Sequence, residues 1–157
     1  MDELERALAE GDRESIFSRA LDAVLRATRS EGGTIHVLQP DGKTLRLAAS
    51  SAGMPEPLLA AIREIPIGRG MAGIAAERRA PVRSCDLQRD DADGSARPGA
   101  RAAGLRGTIC VPMIASDGRL AGTLGVGSRE EREFSAEEVA GLADAARRIA
   151  DAGACAH

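Results

Sequence analysis

Three glycines and an alanine, Gly68, Gly70, Gly73 and Ala76, spaced as G-x-G-x-x-G-x-x-A, constrain this chain more than any other feature. They lie within residues 65–87, IPIGRGMAGIAAERRAPVRSCDL. Glycine takes backbone conformations that a Cβ forbids, so Gly68 and Gly70 let a short extended segment at 65–67 swing directly into a helix near Met71. Arg78 and Arg79 suit the C-terminal end of that helix's dipole, and Pro81 prevents its continuation. The stretch therefore reads as short strand, glycine turn, short helix, second short strand and an exit bearing Asp86. The same glycine spacing opens dinucleotide-binding units, but those need long apolar parallel strands on either side of the helix. Such strands are missing here, and the turn is read as structural.

The rest of the chain divides by hydrophobic period. Residues 12–28 place Phe17, Leu21, Val24, Leu25 and Thr28 on one helical stripe with Asp12 as cap, and residues 2–10 form a shorter helical piece carrying Leu4 and Leu8, broken at Gly11. Ile35, Val37, Leu45 and Leu47 alternate with Thr34, His36, Thr44 and Arg46 around Pro40-Asp41-Gly42, which predicts a hairpin with one apolar face and another carrying His36 and Arg46. Leu58, Leu59 and Ile62 predict a short helix over 55–64 with Pro55 in its first turn. Residues 87–106 lack an apolar period and read as a long loop. Residues 107–115 and 120–127 form a second hairpin through Ser116-Asp117-Gly118, in which Pro112, having no N–H, belongs at an unpaired edge or a bulge. Ser135 and Glu138 form a capping box with Phe134 and Val139 as the hydrophobic staple. The helix they open buries Val139, Leu142, Ala143, Ala146 and Ile149.

In this order and spacing the motifs resemble the GAF domain, a small sensory module of signalling proteins. The resemblance rests on the glycine turn and helix, on Ala80-Pro81-Val82 and Asp86, on Val111-Pro112-Met113, on Asp117-Gly118 with the L-x-G-x-L-x-V strand from Leu120, and on the F-S-x-E-E opening at Phe134. It extends over residues 13–152. It implies an α+β fold with a central antiparallel sheet of about five or six strands. The N- and C-terminal helices would cover one face and a lidded pocket the other. The chain is then one domain over 1–157, with its core at about 13–152 and residues 1–11 as a helical extension.

Composition narrows the function. A net charge of −3 with two Phe and no Trp or Tyr supplies neither a basic groove nor stacking rings, so nucleic acid is not expected as a partner. Cys85, Cys110 and Cys155 are odd in number and lack metal-ligand spacing, and the N-terminus has no apolar signal segment, which predicts a reduced, cytoplasmic protein. No apolar run reaches the ~18 residues of a membrane span, so no membrane partner is expected.

Candidate ligand-binding residues follow. Arg69, Met71 and Ala72 open a helix, where free amides and the dipole favour an anion, although Arg69 pointing to solvent with water on the amides is the reading preferred over a dedicated anion site. Thr108 and Cys110 alternate onto one side of their strand, leaving Ile109 and Val111 to pack on the terminal helices, with the opposite assignment left open. Ser84 and Asp86 fall where GAF domains place polar pocket or lid contacts, with Asp86 alternatively a loop cap, and residues 87–106 are read as the lid. His36 is read as a surface or strand residue and not a metal ligand.

The cyclic-nucleotide signature N-K-x-x-x-F-x-x-x-D/E has no Asn, Lys or Phe to build it in the segment 87–106, and the requirements for bilin or haem are not met. Free methionine-R-sulfoxide reductases share the G-R-G-x-x-G turn but carry Cys where this chain has Ala72, and a second catalytic Cys in the lid. The expectation is a non-catalytic, bacterial-type sensor of an unidentified small molecule, with no catalytic residue, metal or named cofactor, reporting to a separate signalling protein. The alternatives are a ligand-free interaction module and a thiol-dependent reductase. Leu4, Leu8 and Ile16, beside Phe17, Leu21 and Val24, give the terminal helices apolar stripes on more than one side, which predicts a homodimer through those helices.

Overall fold

Residues 3–9, 13–84 and 105–155 are described by the computed structural model, and for Arg13, Glu14, Ser84, Ala154 and Cys155 only the backbone is described. The Asp12 cap, the Gly11 break, Cys85, Asp86 and most of the lid reading at 87–106 lie outside these residues.

Two Asp-Gly turns shape the sheet. Strands β1 (Gly32–Leu38) and β2 (Thr44–Ser50) are joined where the Asp41 carboxylate accepts from the Lys43 and Thr44 amides at 2.8 and 3.1 Å and Gly42 takes φ 69°. Strands β5 (Gly107–Ile114) and β6 (Leu120–Ser128) are joined where Asp117 accepts from the Arg119 amide at 2.9 Å and Gly118 takes φ 90°. Short strands β3 (Glu64–Pro66) and β4 (Val82–Ser84) complete a six-stranded sheet of order β3-β2-β1-β6-β5-β4, antiparallel at every pairing. Pro112 pairs with Thr123 of β6, while β4 ends opposite Cys110, so no strand among the described residues needs an N–H from Pro112 on that flank.

Five helices are present among the described residues. Helix α2 (Arg13–Thr28) and α5 (Ala136–Cys155) pack together on one sheet face, with α1 (Glu3–Ala9) folded against both. Phe17, Leu21 and Val24 of α2 and Leu142, Ala146 and Ile149 of α5 close over Ile35, Ile109, Val111, Leu124 and Val126 to form the main core. Helices α3 (Glu56–Ile62) and α4 (Gly70–Arg78) cover the other face, where Leu45, Leu58, Ile62, Ile65 and Ala76 make one apolar cluster and Ile74, Ala75, Val82 and Cys110 another. The capping box is in place: the Ser135 amide donates to Glu138 Oε1, and the Glu138 amide to Ser135 Oγ, both at 3.0 Å.

Three expectations are corrected. In the first hairpin His36 lies opposite Leu47 and Leu38 opposite Leu45, whereas Ile35 faces Ala49 and Val37 faces Arg46, with a register irregularity between Ile35 and His36. His36 therefore shares the face of Leu45 and Leu47 and is 2% exposed, not a surface residue. Both sheet faces are covered by helices, so alternation here does not separate core from solvent. Leu4 and Ile16, offered with Leu8 for pairing between copies, are buried within the chain, whereas Leu8 is half-buried. Ala143 is exposed, and Ala150, two turns further along nearly the same side of the helix, is the alanine that joins the buried stripe.

Candidate functional site

The glycine turn sets the roof of the site. Gly68 and Gly70 hold φ of 91° and 65°, a region open to glycine at little cost, and the Gly68 amide donates to the Gly73 carbonyl at 2.8 Å. A Cβ on Gly73 would come 2.5 Å from the Pro66 carbonyl oxygen, so the missing side chain lets α4 lie directly against the backbone of β3. At its far end α4 stops at Arg79, which is left-handed and whose guanidinium bonds the Gly118 carbonyl of the β5–β6 turn.

Between this roof and the sheet lies a pocket of about 130 Å³. Thr34, His36, Thr108, Cys110 and Gly125 contribute to its floor, Leu58 and Ile62 to the α3 wall, and Gly70, Met71 and Ala72 to the α4 roof. Leu105 lines it where the chain re-enters from the segment before β5. Gly125 is the open tile of the floor: a Cβ there would lie 3.5 Å from Thr34 Oγ1 and 3.7 Å from Cys110 Sγ. No Asp, Glu, Lys or Arg is among the described lining residues.

The polar atoms of this floor have fixed characters. His36 Nε2 is 2.9 Å from the Ile62 carbonyl oxygen. A carbonyl only accepts, so Nε2 carries the proton and Nδ1 presents a bare acceptor lone pair. Nδ1 has no partner among the described residues. Burial disfavours the imidazolium and holds the His36 pKa below its ordinary value, against a smaller opposing effect of the Ile62 bond, so the ring is neutral near pH 7. Thr123 lies opposite His36 across β1 and β6, and its hydroxyl sits beside the Cys110 thiol without meeting ordinary hydrogen-bond geometry to any described group. Burial pushes the Cys110 pKa up to about 12. The Thr108 hydroxyl donates to Met71 Sδ at 3.3 Å, a weak acceptor.

Of the residues singled out from sequence, Met71, Ala72, Thr108 and Cys110 meet around this pocket. Thr108 and Cys110 face α4, while Ile109 and Val111 enter the core beneath α2 and α5. Arg69 takes the solvent-facing alternative: its extended backbone, φ −121° and ψ 138°, between two left-handed glycines leaves the side chain exposed and outside the described lining. Ser84 pairs through its backbone with Thr108, and its side chain is not described. Asp86 lies outside the described residues. His36, Thr34 and Gly125 were not singled out. Their signal was a histidine, a threonine and a glycine in strands that had to be covered on both faces, where a buried polar group needs a partner.

Among the described residues, no group of three or more His, Cys, Asp or Glu could hold a metal ion, and no helix is long and apolar enough to cross a membrane. The GAF domain of an Acinetobacter phosphoenolpyruvate-protein phosphotransferase superposes with a TM-score of 0.77 at 16% identity, over 97% of this chain and 90% of that one. The free methionine-R-sulfoxide reductase of Neisseria meningitidis, solved with its substrate, superposes with a TM-score of 0.75 at 19% identity, over 96% of this chain and 83% of that one. The GAF domain of the cyanobacteriochrome TePixJ gives 0.72 at 18% identity, over 92% and 90%. At such identities the likeness establishes the fold alone. No curated protein matches the sequence. The sequence model of the GAF domain, however, matches residues 10–152. With that match, the six-stranded antiparallel sheet and its two helical covers, the chain belongs to the GAF domain family.

Proposed function

We propose that this GAF domain senses a small molecule without transforming it, holding it between the sheet and the α3–α4 roof. The observation that carries this reading is the pocket of about 130 Å³ between sheet and roof, whose described lining is apolar and small residues with His36, Thr34 and Thr108 as the polar ones. A ligand that fills this space removes its own apolar surface from water, worth roughly 25 cal/mol per Å² buried. Helices α2 and α5 pack on the opposite side of the same strands, so a change in strand position on binding reaches the helices from which a separate signalling protein would read it.

The reductase alternative finds less support. The thiolate is the attacking form of cysteine, and a Cys110 pKa of about 12 leaves almost none near neutral pH. Ala72 occupies the position where those enzymes carry a cysteine. Methionine sulfoxide is a zwitterion, and the described lining offers neither charge a counterpart. The test combines native mass spectrometry of protein purified gently from cells with a thermal-shift screen of small metabolites. A non-covalently bound small molecule, or a saturable rise in melting temperature, is the expected result. Turnover of free methionine sulfoxide with a thiol reductant would overturn the non-catalytic reading.

A further inference from the structure

We infer that the β5–β6 turn is a second link between the pocket roof and the terminal helices, gripped on one side by Arg79 at the end of α4 and on the other by Asp151 of α5. The inference rests on the sensor reading above and assigns a route by which a shift of the roof reaches α5 without passing through the sheet. The turn itself is stiff. The Ala115 amide donates to the Arg119 carbonyl and the Gly118 amide to the Ala115 carbonyl, both at 2.9 Å, and Asp117 accepts from the Arg119 amide, so residues 115–119 move as one body. On the α5 side the Asp151 carboxylate takes both donors of Ser116, the amide at 2.9 Å and the hydroxyl at 2.5 Å. Arg147, one turn earlier, donates to Ser116 Oγ and Asp151 Oδ2 at 3.4 Å and holds the pair together.

On the roof side the bond comes from an unusual position. Arg79 closes α4 with φ 52° and ψ 42°, the left-handed conformation in which a Cβ crowds the following carbonyl and which glycine usually fills at a helix end. The helix end is closed by the Arg79 amide donating to the Ala75 carbonyl, a bond that glycine would supply equally. The guanidinium instead spans to the Gly118 carbonyl, 39 positions along the chain. Met71 and Ala72, at the other end of the same nine-residue helix, line the pocket. Displacement of α4 by an occupant therefore pulls or releases Gly118, and with it Ser116 and the last turns of α5.

Arg79→Gly separates the link from the cap, because glycine keeps the left-handed helix end and removes only the guanidinium. The readout is native-state hydrogen exchange of the full chain without ligand, with the central strand β1 as internal reference for global opening. In Arg79→Gly the amides of residues 148–153 in α5 should exchange about 2-fold or more faster relative to β1 than in the wild type, as expected when one supporting hydrogen bond is lost. Linkage makes the effect reciprocal. Asp151→Ala should speed the Arg79 and Ala80 amides, both of which donate to the Ala75 carbonyl, by a similar factor. Should that variant not fold, the Arg79→Gly exchange decides alone. An unchanged ratio for α5 in Arg79→Gly, or a rise in one direction only between two folded variants, overturns the inference. Either result leaves the sensor reading standing, since no ligand enters the experiment. A pocket that binds no small molecule would remove the sensor reading and leave the measured coupling as a property of the fold.

Discussion

His36 and Cys110 face the same pocket, and burial neutralises both, lowering the pKa of the imidazole and raising that of the thiol. For Cys110 the consequence is inertness. Iodoacetamide applied to the native protein near pH 8 should leave Cys110 unmodified, whereas the same reagent in denaturant should alkylate it, as peptide mass spectrometry would report. For His36 the consequence is a pH dependence of stability. The folded pKa lies below the ordinary 6.5, so between the two values the unfolded chain binds a proton that the folded chain does not. Stability therefore falls as pH drops from about 6.5 toward the folded pKa, with a slope of at most about 1.4 kcal/mol per pH unit. Glu138 and Asp151 do not mask this window. Hydrogen bonds hold their carboxyls below the usual range, from the Ser135 amide for Glu138 and from Ser116 for Asp151, so their contribution is lost only at more acid pH. Urea midpoints measured from about pH 7.5 down to 5.5 should decline in the wild type and stay flatter in His36→Gln. Equal slopes would mean that His36 protonates freely in the folded state.

At the scale of elements, the two terminal helices are joined by one side chain. Arg132 donates to the Thr28 carbonyl at 2.8 Å and the Arg29 carbonyl at 3.4 Å, pairs with Glu138, and stacks its guanidinium 4.4 Å from the centre of the Phe134 ring. It thereby satisfies carbonyls at the end of α2 while bracing the capping box at the start of α5. Ser135→Ala should cost about 1 kcal/mol, and Arg132→Ala about 2 kcal/mol, because it strips two carbonyls and a carboxylate of their donor. Both changes act on Glu138, so the double variant should cost less than the sum, which urea denaturation of the four proteins would measure. Strict additivity would mean that the cap and the arginine are independent. The box was legible in sequence because its bonds run within four residues, while the Arg132 link was not, because it spans about a hundred. The faces of the first hairpin were misread for a related reason: the register irregularity at Ile35 and His36 and the burial of both sheet faces are products of tertiary packing that a period of two does not encode.

For the molecule as a whole, the sequence motifs located the roof, because glycine spacing and Pro81 act locally, but they did not locate the floor, which is assembled from β1 and the β5–β6 hairpin, about seventy residues or more apart in the chain. Gly125 shows what that floor gives up. Its backbone is in a region open to any residue, and a Cβ would meet only ordinary contacts, the nearest 3.5 Å away at Thr34 Oγ1. Gly122, three positions earlier on the same strand, is the contrast, since a Cβ there would come 1.9 Å from the His36 carbonyl oxygen. A glycine inside a strand costs roughly 0.5–1 kcal/mol relative to alanine, so at Gly125 the chain forgoes stability that sterics would allow it to keep. The physical return for that cost is open space on the pocket floor beside Thr34 and Cys110. Gly125→Ala should therefore melt about 1–4 °C higher than the wild type, while the rise in melting temperature produced by a pocket ligand shrinks. Gly122→Ala should instead destabilise strongly with or without ligand, as expected where a new side chain overlaps backbone. A Gly125→Ala protein that gains stability and keeps an undiminished thermal response to a small molecule would mean that the open floor serves packing alone, and that the ligand is held elsewhere on the domain.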